Sequence, residues 1–573
     1  MNKNIIATLL SGVVIFTSID SFAQTVPEAA KTTADPARIE HAIKEADLSD
    51  RLSSNISVSS DSTVKAPKGA DKIFFELDNL IIEGATVYGE EDLLEIYSSY
   101  LGNKISLQDL FAIANNMTNK YRNEGYILSR VIVPAQEIDG NTAKLKVVEG
   151  FIDQIIIQGD ENERLKGSFR VINDYIHKIQ MSGPLNASNL ERVLLFINDL
   201  PGVKARSILS PSESVVGASN ITIIIERNKI EGYVGLDNYG SRYIGRYQGV
   251  ASASLNSLFG HNEKITATVA YAPKKGLGKE MAYGALNVDV PFRDNGTWFN
   301  SSLSITETKP GYNLEQFNVR GQSIYGKVGL THKLIRSRTD NLSLRYFFDW
   351  RNIRSSNRVD PNREDRIRAL RLGMKYDYVD NILSPAFNVI DFELSQGLNL
   401  FGASNEGQAN MSRLKGDPQF LKANLEVQRL QHIRSNVNLL IAAKGQFASD
   451  NLPSSEEFGV GGSNYGRGYD SSEIVGDHGV AAKIEIQWKE PKEIGWLDSY
   501  QLYGFYDAGH VWNSDASTSD LKRETATSTG VGVRADITKE TQAGIYVAVP
   551  LNRVLQTENN EDARVFFNLS HRF

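Results

Sequence analysis

The chain has 573 residues and no cysteine, and its 62 Lys and Arg against 69 Asp and Glu give a formal net charge of -7. The absence of cysteine excludes a disulfide-stapled scaffold, and the negative charge gives no support for nucleic-acid binding. The length suggests several soluble domains or one large barrel, because ordinary single cores stop growing at roughly 250 to 300 residues.

Residues 1–23 have the pattern of a secretory signal peptide. Lys3 precedes an apolar run over residues 5–16, and the small residues Ser21 and Ala23 precede the expected cleavage site. The alternative, a membrane anchor, requires about 20 apolar residues, and this run is shorter. The pattern therefore predicts export.

Residues 24–71 are predicted to hold one helix followed by a flexible linker. Asp35 is a suitable N-cap before Pro36, and Ile39 and Ile43 recur at helical spacing. The apolar pattern disappears after Ser49, which is typical of a linker.

Residues 72–150 and 151–227 are predicted to form two small α+β modules. The stretches "FFELDNLIIEG" and "AKLKVVEGFIDQIIIQG" are rich in Ile, Val and Phe, as strands are. Between them, Ser106 is a suitable N-cap for a helix that Gly125 would end. The second module is predicted to contain the helix "NLERVLLFINDLPG" and the closing strand "NITIIIER".

From residue 228 to residue 573 the apolar period changes to two. The last strand, "VFFNLSHRF", alternates apolar with polar residues and ends on Phe573. Charged residues on one face could meet bulk water in a soluble sandwich or line a polar lumen, and a terminal aromatic residue favours the lumen. A strand and its connection take about 20 to 22 residues, so the length of this region predicts an all-β transmembrane barrel of about 16 antiparallel strands.

Motifs for enzyme chemistry are absent from the sequence. It has no G-x-S-x-G or H-E-x-x-H motif, and its eight histidines lack metal-ligand spacing, so we expect no catalytic residue, no metal site and no cofactor. Glu456 and Glu457 are interpreted as part of a solvated loop. An outer-membrane esterase or phospholipase stays open, since folding could bring a Ser and a His together.

The stretch "GGSNYGRGYD" (461–470) resembles a phosphate-binding loop at first sight. Such a loop needs Lys followed by Ser or Thr between a strand and a helix, whereas this one has Arg467 followed by Gly468 between strand-like flanks. We therefore interpret the stretch as a tight turn that carries an arginine. An arginine shielded inside a barrel requires a carboxylate partner. The alternative is an exposed surface loop with an unpaired arginine.

The order of signal peptide, helix, linker, two modules and barrel resembles the two-partner secretion transporters, the TpsB proteins typified by ShlB, FhaC and HecB. In the first module, "LIIEGATVY", "YLGNKISLQDL", "NKYRNEGYILSRVIVPAQEI" and "KLKVVEGFIDQIIIQG" are similar to the first periplasmic POTRA module of that family. "LLFINDLPGV" is similar to the helix of its second module. The resemblance covers nearly the whole mature chain.

Two barrel motifs strengthen this resemblance. "GRGYD" matches the family's Arg-Gly-Tyr tip of a loop folded into the lumen, and "GFYDAGHVW" matches its F-x-D-x-G strand motif. Many members have an apolar residue where Gly466 stands, and we expect this glycine to loosen the tip. The resemblance implies six site residues: Arg467, Gly468, Tyr469, Phe505, Asp507 and Gly509.

The resemblance also implies a function. We expect a monomer in the lipid of the Gram-negative outer membrane, with its modules in the periplasm, that exports an unfolded partner exoprotein without nucleotide hydrolysis. The cargo stays open among an adhesin, a cytolysin and a contact-dependent toxin, and the helix with Ile39 and Ile43 is expected to plug the lumen. An assembly factor for other barrels is the alternative, although it usually carries more modules; a passive porin would have none.

Overall fold

The computed structural model describes Pro36 and residues 65–159, 168–181, 183–215, 217–274, 278–292, 295–358, 363–490, 497–514, 522–555 and 557–573. The chain forms two compact units, Leu52–Asn228 and a second that contains Lys229–Phe573. The signal peptide and residues Asp35, Ile39 and Ile43 lie outside the described residues, whereas Pro36 is helical and buried. No helix within the described ranges is long and apolar enough to cross a membrane.

The first module packs two helices against short strands. Its elements are β1 (Phe74–Leu77), β2 (Asn79–Glu83), α1 (Glu90–Tyr97), β3 (Asn103–Ser106), α2 (Leu107–Asn123), β4 (Arg130–Ile132) and β5 (Thr142–Val148). β1 pairs with β3, and the order of the other sheet is β2-β5-β4, with β2 parallel to β5. A short helical turn, Ala70–Lys72, precedes β1.

The predicted cap and stop of helix α2 are confirmed. The Ser106 hydroxyl accepts a hydrogen bond from the Asp109 backbone N–H at 3.2 Å, and the Asp109 carboxylate accepts one from the Ser106 N–H at 2.8 Å. This reciprocal pair satisfies two donors that a helix start leaves open. Gly125 ends the helix with a φ of 95°, which favours glycine.

Glu149 ties the end of β5 to the rest of the first module. Its carboxylate accepts hydrogen bonds from the backbone N–H groups of Thr86 and Val87 at 2.7 and 2.9 Å, and from the Tyr121 hydroxyl at 2.7 Å. Burial raises the pKa of Glu149, but the hydrogen bonds to Thr86, Val87 and Tyr121 outweigh burial and hold it below its ordinary value of 4.5. The carboxylate therefore stabilises the module in its charged form.

The second module has a three-stranded sheet covered by two helices. Its elements are β6 (Phe151–Gln158), α3 (Ser168–Gln180), α4 (Ala187–Asn198), β7 (Val203–Pro211) and β8 (Ala218–Arg227), and the sheet order is β6-β8-β7. The apolar stretch 143–159 is divided at Glu149 and Gly150, so its two halves join different sheets. A Cβ on Gly150 would lie 2.6 Å from the Leu128 carbonyl oxygen, so this crossing point between the modules needs glycine.

The rest of the described chain contains eighteen strands. They are β9 (Ile230–Asp237), β10 (Gln248–Asn256), β11 (Lys264–Pro273), β12 (Lys279–Phe292), β13 (Thr297–Thr308), β14 (Arg320–Arg336), β15 (Asp340–Ser356), β16 (Arg363–Asp380), β17 (Ala386–Gly397), β18 (Leu421–Arg434), β19 (Val437–Ala448), β20 (Phe458–Val460), β21 (Ile474–Gly476), β22 (His478–Glu490), β23 (Ser499–Trp512), β24 (Arg523–Asp536), β25 (Thr541–Pro550) and β26 (Arg564–Arg572).

Sixteen of these described strands close into one antiparallel barrel, which confirms the predicted fold class. Each barrel strand pairs with the next in sequence, and β26 closes the ring against β9, from Asn568 opposite Asp237 to Arg572 opposite Tyr233. β20 and β21 pair only with each other. The sheet has no open edge, which excludes a soluble sandwich. Barrels of this size enclose an aqueous channel.

The two faces of the barrel differ as the alternation predicts. On β26, Val565, Phe567 and Leu569 are 55, 38 and 43% exposed on the outer face, whereas Ser570 is buried on the inner face. The same pattern on the other strands gives an apolar exterior and a polar interior. One end of the barrel, where β9 begins, carries the short turns between strands, and we call it the turn end. The other, the loop end, carries the longer connections.

Candidate functional site

The connection between β19 and β22, residues 449–477, folds back against the inside of the barrel. We call it the lumenal loop. Its hairpin of β20 and β21 and its tyrosines form an apolar cluster with residues of β19, β22, β23 and β24 and of the connection after β25. That cluster consists of Ala442, Phe458, Val460, Tyr465, Tyr469, Ile474, Ala481, Val511, Ala526 and Leu555. The apolar hairpin explains why a loop with so many polar residues stays buried.

Arg467 lies at the tip of the lumenal loop and contacts Asp507 on β23. The guanidinium donates to both carboxylate oxygens, from Nε to Oδ2 at 2.9 Å and from Nη2 to Oδ1 at 2.8 Å. The Arg467 backbone N–H donates to Oδ2 as well, at 2.9 Å. Arg467 is 4% exposed and Asp507 is 0% exposed, so both charges are withdrawn from water.

A second carboxylate, Glu485 on β22, completes the arginine site. Glu485 is 1% exposed and accepts a hydrogen bond from Nη1 of Arg467. Its other oxygen accepts from Nη1 of Arg534 on β24 at 2.7 Å. The two arginines and two carboxylates therefore balance, which buried ions require. The alternation of charged or polar with apolar residues over 483–488 predicts that Glu485 points inward, but its pairing with Arg467 depends on the strand register.

Two residues of the F-x-D-x-G motif, Phe505 and Gly509, determine the packing around Arg467 and the loop hairpin. The Phe505 ring lies beneath the guanidinium, with Cζ of Arg467 3.5 Å from the ring centroid. Gly509 leaves room for the loop hairpin, since a Cβ there would lie 2.4 Å from Cγ1 of Val460. The F-x-D-x-G motif thus provides a ring, a carboxylate and a gap on one face of β23.

The remaining motif residues fix the tip from the other side. The Tyr469 hydroxyl donates to the Thr527 carbonyl at 3.0 Å and lies 3.1 Å from Oδ1 of Asn552. A Cβ on Gly468 would lie 2.9 Å from the Pro550 nitrogen, so only glycine fits there without a shift. All six residues that the resemblance implies are therefore brought together.

Gly466, where this sequence departs from many family members, takes part in the same contact. Its φ of 92° lies in the left-handed region that favours glycine. In this conformation its N–H donates to Oδ2 of Asp507 at 3.2 Å. The tip therefore presents two consecutive backbone donors to one carboxylate.

The interpretation of Glu456 and Glu457 as solvated is wrong. Glu456 is 2% exposed and lies 2.6 Å from Nζ of Lys422 and 2.9 Å from Nη2 of Arg371. Glu457 lies 3.2 Å from Nη1 of Arg413. The loop folds inward at this point, so a Ser-rich and Gly-rich stretch that resembles surface becomes an ionic contact with β16 and β18.

Two further ion pairs hold the lumenal loop, one at its end and one beside its tip. Asp477, next to β22, lies 2.6 Å from Nη1 of Arg413 and accepts a hydrogen bond from the Leu452 N–H at 2.7 Å. Asp470, just after the tip, lies 2.6 Å from Nη2 of Arg564 on β26. The loop is thus tied to several strands around the barrel.

The structure brings His478 and Ser514 within hydrogen-bond distance, which bears on the hydrolase alternative. Nε2 of His478 lies 2.7 Å from the Ser514 hydroxyl, and Nδ1 accepts a hydrogen bond from the Ala448 backbone N–H at 3.2 Å. Because Nδ1 accepts, the proton of the neutral ring lies on Nε2, which donates to the serine. A general base would need the opposite arrangement, with a carboxylate accepting from Nδ1.

A closed sixteen-stranded barrel with an apolar exterior, preceded by two α+β modules, defines an outer-membrane barrel protein. The sequence model of the haemolysin secretion/activation proteins ShlB/FhaC/HecB matches residues 217–535, more than half of the chain, and the chain belongs to that family. The model of the ShlB-type POTRA domain matches residues 75–150.

Individual relatives agree with the family assignment. The heme/hemopexin transporter protein HuxB of Haemophilus influenzae is 25% identical over 475 residues, 82% of this chain and 81% of HuxB. The hemolysin transporter protein ShlB of Serratia marcescens is 23% identical over 434 residues, 70% of this chain and 69% of ShlB. The solved structure of CdiB from Escherichia coli has a TM-score of 0.72 at 19% identity and covers 89% of this chain and 92% of CdiB.

Membership gives the function in outline. The protein is an outer-membrane transporter that acts with a secreted partner protein, and its POTRA modules lie in the periplasm. Because β9 follows the modules directly in sequence, the turn end of the barrel faces the periplasm and the loop end faces the cell exterior. The alternative of a general barrel-assembly factor is not favoured.

Proposed function

We propose that the protein holds one secreted partner unfolded at its two modules and passes it through the barrel lumen to the cell surface as an extended chain. The observation that carries this proposal is the lumenal loop, whose tip is held at the inner wall by Arg467, Asp507 and Glu485. Such an ionic contact stabilises the resting position of the loop. Displacing it opens the lumen without unfolding a strand.

Open sheet edges support a capture role for the modules. β2 and β4 are the edges of the first module's sheet, and β6 and β7 are those of the second. An unfolded segment can add to such an edge through backbone hydrogen bonds, which are independent of sequence. Ile156 on β6 and Ile208 on β7 are 45% and 48% exposed, which adds apolar contact at both edges.

The transport step in this proposal needs no nucleotide. Folding of the partner outside the cell makes the passage irreversible, because a folded partner no longer fits the lumen. The helix expected around Pro36 serves as a removable plug, and the burial of Pro36 within the unit that contains the barrel supports this role.

We also propose that the protein acts as a transporter and not as an enzyme. The hydrogen-bond directions around His478 and Ser514 support this assignment. A Ser514→Ala variant is expected to secrete the partner at the wild-type level and to show the same hydrolysis of a chromogenic ester as wild type. Loss of a measurable esterase activity in Ser514→Ala would contradict it.

The first test compares strains with and without the gene. Loss of one large exoprotein from the surface and medium, with the other outer-membrane barrels at normal levels, supports the transporter. A general loss of outer-membrane barrels would instead support an assembly factor.

The second test addresses the arginine site. Arg467→Ala and Asp507→Ala are expected to reduce secretion while the barrel still assembles, as judged by heat-dependent mobility on a denaturing gel. Arg345→Ala is a control, because Arg345 and Asp391 form an Arg–Asp pair at 2.5 Å between barrel strands, more exposed than the pair at Arg467 and away from the lumenal loop. Full secretion by both Arg467→Ala and Asp507→Ala would refute the role assigned to the pair.

A further inference from the structure

A group of cations lies on the outer face of the barrel at the loop end of β12 to β16. We call it the basic rim, and it consists of Lys279, Lys309, Arg320, Arg354 and Arg366. Two carboxylates, Glu307 and Glu364, lie among them on the same face. Five cations against two carboxylates leave three positive charges, on a chain whose formal net charge is -7.

The strand alternation sets the depth of the basic rim relative to the membrane. On β15, the outward residues from Leu342 to Trp350 are apolar or aromatic, and Asn352 and Arg354 continue the same face. At about 3.4 Å per residue and a tilt of about 40°, Leu342 to Trp350 spans roughly 21 Å along the barrel axis, close to the apolar band of such barrels. Arg354 then lies about 10 Å beyond Trp350, at the level of the lipid headgroups.

A neighbouring strand also carries basic residues at the loop end of its apolar face. On β16, Leu370 and Leu372 are 43 and 41% exposed on the outer face, and Arg366 continues that face toward the loop end. In the register of the two strands, Arg366 lies opposite Asn352 and Glu364 lies opposite Arg354, while Arg368, between Arg366 and Leu370 on the same face, is buried. Arg366 therefore lies about 5 Å closer to the middle of the membrane than Arg354, and both are at the loop end of the apolar face.

The charges of the basic rim are available to a ligand. The Arg354 side chain is 69% exposed, and it shares Glu364 with Arg366, at 3.0 and 2.9 Å. Arg320 is exposed and forms no ion pair within the described residues. Arg320, Arg354 and Lys309 line a concavity of about 570 Å³ that opens at the loop end. This volume accommodates a phosphorylated sugar headgroup.

We propose that the basic rim binds the phosphate groups of a lipid headgroup in the outer leaflet of the membrane. Two arginine side chains can each grip a phosphate through two parallel N–H donors, and the acyl chains of the same lipid would lie along the apolar face below. The three uncompensated positive charges match a lipid that carries more than one phosphate. The occupant is a membrane lipid and not a free anion, because the cations lie directly above the lipid-facing surface.

The test uses the full-length protein in detergent and native mass spectrometry with diphosphorylated lipid A or its dephosphorylated form. Wild type is expected to retain the phosphorylated lipid at least tenfold more tightly than the dephosphorylated form. The triple variant Arg320→Gln, Arg354→Gln and Arg366→Gln is expected to lose this preference. A matched control, Lys415→Gln, Lys522→Gln and Arg523→Gln, removes the same charge from exposed positions elsewhere at the loop end and is expected to keep it.

Three outcomes would overturn the inference. Equal retention of both lipids by wild type would show that phosphate is not recognised, and this comparison does not depend on the folding of any variant. If the rim variant and the control lost the preference for phosphorylated lipid equally, the preference would depend only on the net charge of the protein. Displacement of the lipid by millimolar inorganic phosphate would identify a free-anion site instead.

Discussion

Replacing Arg467 by Ala is the most direct perturbation of the lumenal loop. It removes two hydrogen bonds to Asp507 and the contact with Glu485, and leaves both carboxylates buried. The backbone N–H at position 467 still donates to Asp507 in the variant, so the whole loss comes from the side chain. Removing one partner of a buried ion pair costs about 3 to 5 kcal/mol. Because Glu485 keeps Arg534 and Asp507 keeps two backbone donors, we expect the lower end, about 3 kcal/mol.

Hydrogen exchange of the full-length protein in detergent measures this quantity locally. A loss of about 3 kcal/mol corresponds to exchange roughly a hundredfold faster in residues 449–477, since each 1.4 kcal/mol is a factor of about ten. The barrel strands are expected to exchange at the wild-type rate. Exchange in the loop within threefold of wild type, in a folded barrel, would refute the assigned anchoring. Arg345→Ala is the control, because it breaks an Arg–Asp pair of the barrel wall, a more exposed one, without touching the loop.

Three further predictions test other contacts. Gly509→Ala is expected to speed hydrogen exchange in the loop, because the added Cβ pushes Val460 away. Gly504→Ala is the control and is expected to leave exchange unchanged, because the nearest atom to its added Cβ is 3.8 Å away. Equal effects of the two substitutions would contradict the contact between Gly509 and Val460. Glu149 has a depressed pKa, so the stability it gives the first module is complete above about pH 4.5 and is lost as the pH falls through the folded-state value; Glu149→Gln should abolish this dependence in hydrogen exchange between pH 3 and 6. Tyr469→Phe is expected to destabilise the tip by about 0.5 to 1.5 kcal/mol, because the hydroxyl bond is lost while the Thr527 carbonyl and Oδ1 of Asn552 each keep a backbone donor, and an unchanged unfolding profile of the loop would exclude this bond.

The features that follow from local pattern were predictable from the sequence. The alternation in "VFFNLSHRF" gives the faces of β26 because side chains alternate strictly in a strand. The helix from Leu107 to Asn123 follows from its cap and its apolar spacing. In contrast, α3 was not anticipated, and the apolar stretch 143–159 hides a change of sheet at Gly150, where only the three-dimensional contact with Leu128 requires glycine.

Only the residues of the candidate site that belong to the two barrel motifs could be predicted from the sequence. Arg467 and Asp507 are 40 residues apart, and only the resemblance links them. Glu485 was missed because its contact with Arg467 depends on the pairing of β22 with β23, a register that a single sequence does not specify. Glu456 was misassigned for a related reason, since local composition indicates solvent exposure and ignores which way a long loop folds.

The pairing of Val460 with Ile474 in the loop hairpin limits how far the tip can travel. Residues 461–473 leave and return at the same point, so their contour allows a reach of at most about 22 Å from the hairpin. Arg467, near the middle of this segment, can therefore swing clear of Asp507 while β20 and β21 stay paired and the salt bridges of Glu456 and Asp477 stay intact. The loop thus has a stationary base and a tethered arm, and the length of the arm sets an upper limit on the opening that moving the tip alone can produce.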